Sequence, residues 1–212
     1  PELGEAELPV VRLPDGTPFI PGSSIKGAVR AEADRILSGL GFMLCTTSSP
    51  TYRCSPPGCA SCRIFGSTEM ASRVAFRDAL PEREVEVFKR TMVALERETK
   101  TASPGKLFTA EFIPPGARFS LEIIFENPEE WMLGVLFTSL FSLHSLGGLV
   151  SRGSGKITVK ISRIQVYTPS SLLEAKPEKE IEEEELNNLI SKVRAVLKEK
   201  AEELKKNITP SL

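Results

Sequence analysis

The chain has 212 residues, 41% hydrophobic and 26% charged, with a formal net charge of −1. That length supports one sizeable core with an appendage. Its longest apolar run, Trp131 to Leu146, has 16 residues and includes Thr138, Ser139, Ser142 and His144, short of the roughly 20 that cross a bilayer. The near-zero charge argues against an indiscriminate polyanion binder, so any nucleic-acid contact has to rest on local cations and backbone donors.

The sequence starts at Pro1, so it is expected to begin inside a longer natural chain or after processing, and Pro1 to Leu8 reads as no strand. No secretion signal is visible, and a cytoplasmic location is expected. Pro14, Asp15 and Gly16 supply a turn. Pro21 and Gly22 then end the extended run Pro18 to Ile20. The spacing of Ile25, Ala28, Val29, Ile36, Leu37 and Leu40 predicts a helix from Ser23 to about Leu40. Ser23 or Ser24 can cap it, leaving first-turn N–H groups that favour an anion. Lys26 and Arg30 stand four apart on one face, and Gly27 is expected to admit a neighbouring backbone. A cation in the first turn of a helix is disfavoured unless an anion accompanies it, so Lys26 reads as placed for a phosphate.

Cys45, Cys54, Cys59 and Cys62 are all the cysteines of the chain, spaced C-x8-C-x4-C-x2-C. The residues between them are too polar and too rich in proline and glycine to bury much apolar surface. Four thiolates around a tetrahedral Zn²⁺ would order the segment. Two disulfides are the competing reading, suited to an oxidising compartment or a hyperthermophile. Four cysteines close the coordination shell, so the expected zinc is structural, with no open position for hydrolytic water.

Arg73 to Ala79 alternates Val74 and Phe76 against Arg73, Ala75 and Arg77, which predicts a strand. Glu86 to Glu96 and Lys106 to Ile113 are further predicted strands. Arg90, Arg97, Lys100 and Lys106 surround the loop between them, a set suited to tracking phosphates. Ala117 to Glu126 alternates after the Pro115-Gly116 turn, Trp131 to Leu146 reads as a buried helix, and Lys156 to Val166 as the last strand. Ahead of that strand, Gly147, Gly148, Gly153 and Gly155 let backbone approach a polyanion, with Arg152 and Lys156 adding charge. The Walker spacing is unmet and no helix follows, which argues against ATP hydrolysis. His144, the sole histidine, is expected to be buried or to cap the helix.

After residue 169 the composition changes. Residues 169–177 read as a linker and Glu178 to Lys206 as a long helix, acidic early and lysine-bearing late, with an apolar stripe that includes Leu186, Ile190, Val193 and Leu197. This helix holds nine acidic and seven basic residues, so the rest of the chain is close to neutral. It is expected to dock on its own body in preference to a neighbouring subunit.

The stretch Pro21-Gly22-Ser23-Ser24-Ile25-Lys26-Gly27 resembles the signature of the RAMP superfamily, the RNA-binding proteins of CRISPR effector complexes, and in particular the backbone subunit of type III complexes. Ile64 to Ser67 with Ser72 to Ala79, then Gly105 to Glu111, then Leu146 to Gly148 with Ser151 to Lys156 fit the same family in the same order, spanning about Pro9 to Val166. The resemblance implies an α+β, ferredoxin-like (RRM-type) domain over residues 1–168 whose first strand is missing from this sequence. A cysteine-rich insertion is expected at 41–63. A hairpin or thumb insertion at about 82–113 is expected to push between bases of the guide–target duplex.

The resemblance also implies a set of RNA contacts. Ser23, Ser24, Lys26 and Arg30 would hold the guide RNA (crRNA) backbone together with Gly148, Ser151, Arg152, Gly153 and Lys156. Ser67, Arg73, Arg97 and Lys100 would add contacts around them. Backbone contacts give affinity and register, and specificity would come from base pairing to target RNA. Neighbouring copies of the chain and other effector subunits are the implied protein partners. In the family, an aspartate two positions ahead of the proline equivalent to Pro9 takes part in cutting target RNA; Glu7 stands there in this chain. The longer side chain displaces the carboxylate by about a bond length, and a misplacement of about 1 Å can cost ~10²-fold in rate. A metal-dependent endoribonuclease using Mg²⁺ or Mn²⁺ through Glu7 or Asp15 is therefore the alternative to a guide-holding subunit. A zinc-stapled capping subunit is a second alternative.

Overall fold

The computed structural model describes residues 6–45, 54, 56, 58–96, 98 and 101–207. Its elements follow in the order α1 (Gly22–Gly39), α2 (Ala60–Phe65), β1 (Val74–Phe76), β2 (Leu80–Pro81), β3 (Phe88–Leu95), β4 (Ala102–Phe112), β5 (Phe119–Ser120), β6 (Ile123–Phe125), α3 (Glu130–Ser142), β7 (Arg163–Val166), α4 (Pro169–Leu173), β8 (Lys179–Glu182) and α5 (Glu183–Asn207). Helices and strands mix along the chain, and the strands pair as β1 with β6, β2 with β5, β3 with β4 and β7 with β8. Among the described residues no helix is long and apolar enough to cross a membrane. The chain divides into two compact units, Pro1–Ser24 with Phe76–Ile123, and Ile25–Ala75 with Ile124–Leu212.

The first unit is built on the antiparallel β3–β4 hairpin, whose register runs from Phe88↔Phe112 to Val93↔Leu107, with an irregularity between Val93 and Leu95. One face stacks Phe88 on Phe112, ring centroids 5.6 Å apart. The Arg90 guanidinium lies over both rings at 5.8 and 5.3 Å, within cation–π range. On the free edge of β4, Leu8 bridges Ala110 in parallel. Glu7 N and Leu8 N donate to Thr109 O, and Glu111 N donates to Leu8 O. Among the described residues, the segment from Ala6 to Pro9 thus makes an isolated bridge and no strand. The strand expected over Ala117 to Glu126 is realised in two pieces, because β5 pairs with β2 while β6 pairs with β1.

In the second unit, Ile25, Val29, Ala33 and Leu37 recur every four residues along α1 and are all buried, the apolar stripe its spacing predicts. Helix α3 is buried nearly all round, from Trp131 and Met132 through Val135, Leu136 and Leu140. Half-buried Thr138 and buried Ser139 satisfy their hydroxyls within the helix, on Gly134 O at 2.7 Å and on Val135 O at 2.7 Å. Burial on so many sides requires a cover, and α5 supplies it. Leu186, Ile190, Val193, Leu197 and Ala201 of α5 are buried. Lys192 pairs with Glu130 at 2.9 Å, and Arg194 lies over the Phe141 ring. The C-terminal helix therefore docks on its own body, as expected. His144, expected to be buried or to cap the helix, lies beyond the end of α3 and is exposed.

Toward the C-terminus the boundaries differ from the sequence reading. The last strand is only Arg163–Val166, and it pairs with Lys179–Glu182 through Ile164↔Ile181. Burying Ile181 against that partner outweighs helix propensity, so the long helix begins at Glu183 and not at Glu178. The expected linker contains α4, which Thr168 and Ser171 start with a reciprocal capping box and Pro169 at its first position.

Candidate functional site

Helix α1 starts one residue earlier than predicted, so Ser23 and Ser24 fall inside its first turn and both are exposed. The cap comes from far along the chain: the Asp78 carboxylate accepts the Gly22 N–H at 2.7 Å. One first-turn donor is thereby satisfied by an internal anion. Gly22 is also where the close backbone approach occurs. A Cβ there would collide with the carbonyl oxygens of Phe76 and Arg77, whereas one at Gly27 would meet open space. The close approach expected at Gly27 thus belongs to Gly22. Sequence reasoning missed Asp78 because it lies 56 residues from its partner and no local pattern links the two.

The cations of α1 are engaged by the segment that follows the last cysteine. Lys26 Nζ donates to Ser72 Oγ at 2.8 Å, and Ser72 Oγ in turn donates to Val74 O at 2.7 Å. Burial lowers the Lys26 pKa from its ordinary value, and the neighbouring Arg30 charge lowers it further. Arg30 donates from one terminal nitrogen to Gly66 O at 3.1 Å and from the other to Cys62 Sγ at 3.3 Å. Gly66 is held at φ +83°, where a Cβ would press on Ser72 N at 2.8 Å, so the sharp turn after α2 requires glycine. Ser67, a predicted RNA contact, donates its hydroxyl to Cys54 O at 3.0 Å and accepts from Glu69 N. Arg73 donates to Asn127 O at 3.4 Å and stands 3.6 Å from Glu129.

The four cysteines converge, their sulfurs all lying within 4.8 Å of one another. All four are free thiols. Cys45 and Cys62 sulfurs are 3.3 Å apart and Cys59 and Cys45 sulfurs 3.6 Å, well beyond a disulfide bond of about 2.05 Å. A tetrahedral ion with metal–sulfur bonds of about 2.3 Å separates its ligands by about 3.8 Å, so the cluster fits a divalent metal. Cys54, Cys59 and Cys62 are buried, and Cys59 N donates to Cys54 Sγ at 3.3 Å. The crowding pulls the thiols apart in acidity. Hydrogen bonding from Cys62 brings Cys59 down to about 4, burial pushes Cys45 up to about 11, and the hydrogen bond to Cys59 raises Cys62.

The glycine loop is closed at its base by Leu146 N to Gly155 O at 2.8 Å and Ile157 N to His144 O at 3.0 Å. Ser151 and Arg152 lie in a short 3-10 turn, Val150–Arg152, flanked by Leu149 at φ 58° and Gly153 at φ 84°. A left-handed leucine costs roughly 1–2 kcal/mol, and such strain clusters at functional sites. Gly148, Ser151, Arg152, Gly153 and Lys156 are all exposed. Arg97 and Lys100 lie outside the described residues.

Glu7 is exposed on the segment that hydrogen-bonds to β4. Asp15 is committed to a turn, its carboxylate accepting Thr17 N at 2.9 Å, and those hydrogen bonds from Thr17 hold its pKa below the ordinary value. Among the described residues the four cysteines are the one grouping of three or more His, Cys, Asp or Glu ligands, so neither carboxylate belongs to such a cluster. The segment carrying Glu7 is anchored by Glu111, which accepts Val10 N at 3.0 Å and Arg12 at 2.7 Å. Hydrogen bonding to Arg12 lowers the Glu111 pKa. That stabilisation is complete above the unfolded-state value of about 4.3 and is lost as pH falls through the lower folded value. Glu111→Gln is therefore expected to cost about 1–2 kcal/mol at neutral pH and progressively less below about pH 4, as read from urea midpoints at several pH values.

A family model described as the RAMP superfamily matches residues 4–158. The chain is also similar to a protein of Methanothermobacter thermautotrophicus described as CRISPR system Cms endoribonuclease Csm3. The two are 31% identical over 202 residues, covering 77% of this chain and 76% of that protein. A protein of Methanocaldococcus jannaschii with the same description is 26% identical over 209 residues, covering 89% of this chain and 81% of the relative.

Proposed function

This chain belongs to the RAMP superfamily, and on that premise we propose that it is a backbone subunit of a type III CRISPR effector complex that holds the guide RNA by its phosphates. The family's α+β, ferredoxin-like class agrees with the mixed helices and antiparallel strand pairs of this chain. Its partners are the guide RNA, target RNA paired to it, neighbouring copies of itself and other effector subunits. The β3–β4 hairpin is the thumb of this reading. The four cysteines hold a structural Zn²⁺ that orders the segment leading into Gly66 and Ser72.

The observation that carries the reading is Lys26. A lysine ammonium has three donors, and Ser72 uses one of them. Its partial burial and the adjacent Arg30 charge both disfavour the bare cation, and the negative charge of an arriving phosphate offsets that cost. Exposed Ser23 and Ser24 beside it, with the loop from Gly148 to Lys156, supply further hydroxyl, amide and cationic contacts. None of these groups reads a base edge, so they fix register and leave sequence choice to pairing.

A second reading makes the chain the nuclease of the assembly, and the position of Glu7 favours it over Asp15. Glu7 projects from a segment locked to β4, whereas the Asp15 carboxylate is committed to its own turn. The Csm3 relatives are described as endoribonucleases. One experiment tests both readings: the reconstituted complex with Mg²⁺ or Mn²⁺, assayed separately for guide affinity and target cutting, as wild type, Lys26→Ala and Glu7→Ala. Lys26→Ala is expected to weaken guide binding by roughly tenfold to a hundredfold and to flatten its salt dependence. Unchanged affinity would remove Lys26 from the guide site. Loss of cutting in Glu7→Ala with guide affinity intact would make this subunit the nuclease.

A further inference from the structure

We propose that Arg30 is the counter-cation of the four-cysteine centre: its guanidinium, reaching across from α1, offsets the negative charge that four thiolates retain around a divalent metal. The inference rests on the reading that the cysteines hold a metal. It gives Arg30 a role other than gripping RNA.

Four thiolates and a divalent ion leave a net charge of −2, and three of the sulfurs belong to buried residues. A buried charge without a partner is costly. Among the described residues the donors on these sulfurs from outside the thiol set are main-chain N–H groups, those of Cys59 on Cys54 and of Cys45 and Cys62 on Cys59, and the Arg30 guanidinium on Cys62. Only the guanidinium brings a full positive charge. Its planar fork also fits two acceptors side by side, so the group on Cys62 Sγ at 3.3 Å also holds Gly66 O at 3.1 Å. Lysine's point charge lacks that fork. Lys26, one turn earlier on the same helix, illustrates the contrast: its ammonium bonds Ser72 Oγ and not a sulfur. Partners just outside the ligand set tune metal affinity strongly, commonly by 10–100-fold when removed.

The arrangement ties metal retention to α1. With Arg30 in place, the residue that closes the cysteine cluster and the glycine that turns the chain after α2 are fixed to the helix bearing Lys26.

The test uses the full chain titrated with Co²⁺, read by thiolate-to-cobalt charge-transfer absorption and by competition with a chelator of known affinity. Wild type is compared with Arg30→Gln, Arg30→Lys and Lys26→Met. Glutamine removes the charge and, being two bonds shorter, gives up the fork on Gly66 O as well; Arg30→Lys also lacks the fork but keeps the charge, so the pair separates the two contributions. Arg30→Gln is expected to bind Co²⁺ about 10–100-fold more weakly, Arg30→Lys to recover part of the loss, and Lys26→Met to match wild type. Wild-type affinity in Arg30→Gln would overturn the assignment, as would an equal loss in Lys26→Met. Absence of any thiolate–cobalt band in wild type would overturn the metal reading itself and the role of Arg30 with it.

Discussion

Cys62→Ser is expected to abolish metal binding and to release the segment that carries Gly66 and Ser72. Cys62 is fully buried and takes part in more of the cluster than a single ligand bond, since its sulfur meets Cys45 and the Arg30 guanidinium. A serine hydroxyl does not ionise at neutral pH and cannot replace a thiolate ligand. Structural zinc sites of this composition are worth roughly 10–16 kcal/mol in isolated peptides near pH 7, and losing one of four ligands forfeits a large part of that. Because the ligands bind deprotonated, acid releases the metal by the same route. Elemental analysis should show one metal per wild-type chain and none in the variant. Limited proteolysis should show new cleavage between residues 58 and 72 in the variant and in chelator-treated wild type alike. Metal stoichiometry unchanged in Cys62→Ser would remove this cysteine from the ligand set.

The second large effect is expected at Gly22, where the start of α1 lies against the backbone of residues 76 and 77. Both obstacles to an added Cβ are carbonyl oxygens of main chain, which cannot swing aside as a long side chain would. Gly22→Ala also displaces the N–H that Asp78 caps at 2.7 Å. Together these are expected to cost about 3 kcal/mol, the upper range for an overpacked site, with lost capping included. Gly27→Ala lies five residues further along the same helix in open space and should change stability in the opposite direction by roughly 0.5–1 kcal/mol. Urea denaturation of the two variants side by side checks the sign as well as the size. Equal effects would mean that backbone approach at Gly22 is not what requires glycine.

Much of this was legible in the sequence where the cause is local. The cysteine spacing announces a convergent cluster, the apolar period along residues 25 to 37 announces α1, and the strands expected over Glu86–Glu96 and Lys106–Ile113 pair as a hairpin, which the family resemblance implies. What stayed hidden depends on partners distant in sequence. Asp78 caps Gly22, Ser72 receives Lys26, and Glu111 anchors the segment bearing Glu7, and none of these pairs has a spacing that betrays it. The same reason explains β8. Lys179 to Glu182 carries a helix-like, charged composition, and only the presence of Ile164 opposite Ile181 makes it a strand. Cationic side chains on α1 were read as facing a ligand because sequence shows charge and not what already occupies it. The structure shows Arg30 with both terminal nitrogens on protein acceptors.

The cover that α5 provides for α3 has a consequence for biosynthesis. Helix α3 ends at Ser142 and α5 at Asn207, and Gly134 lies so near Val193 that a Cβ would meet its carbonyl oxygen. At ribosomal rates of about 5–20 residues per second, the apolar helix waits roughly 3–13 seconds for its partner to be made. During that interval the face of α3 that α5 covers, around Gly134 and Phe141, is a nascent surface suited to a chaperone. Slowing translation between residues 143 and 183 should therefore raise the aggregated fraction more than an equal delay placed after residue 207.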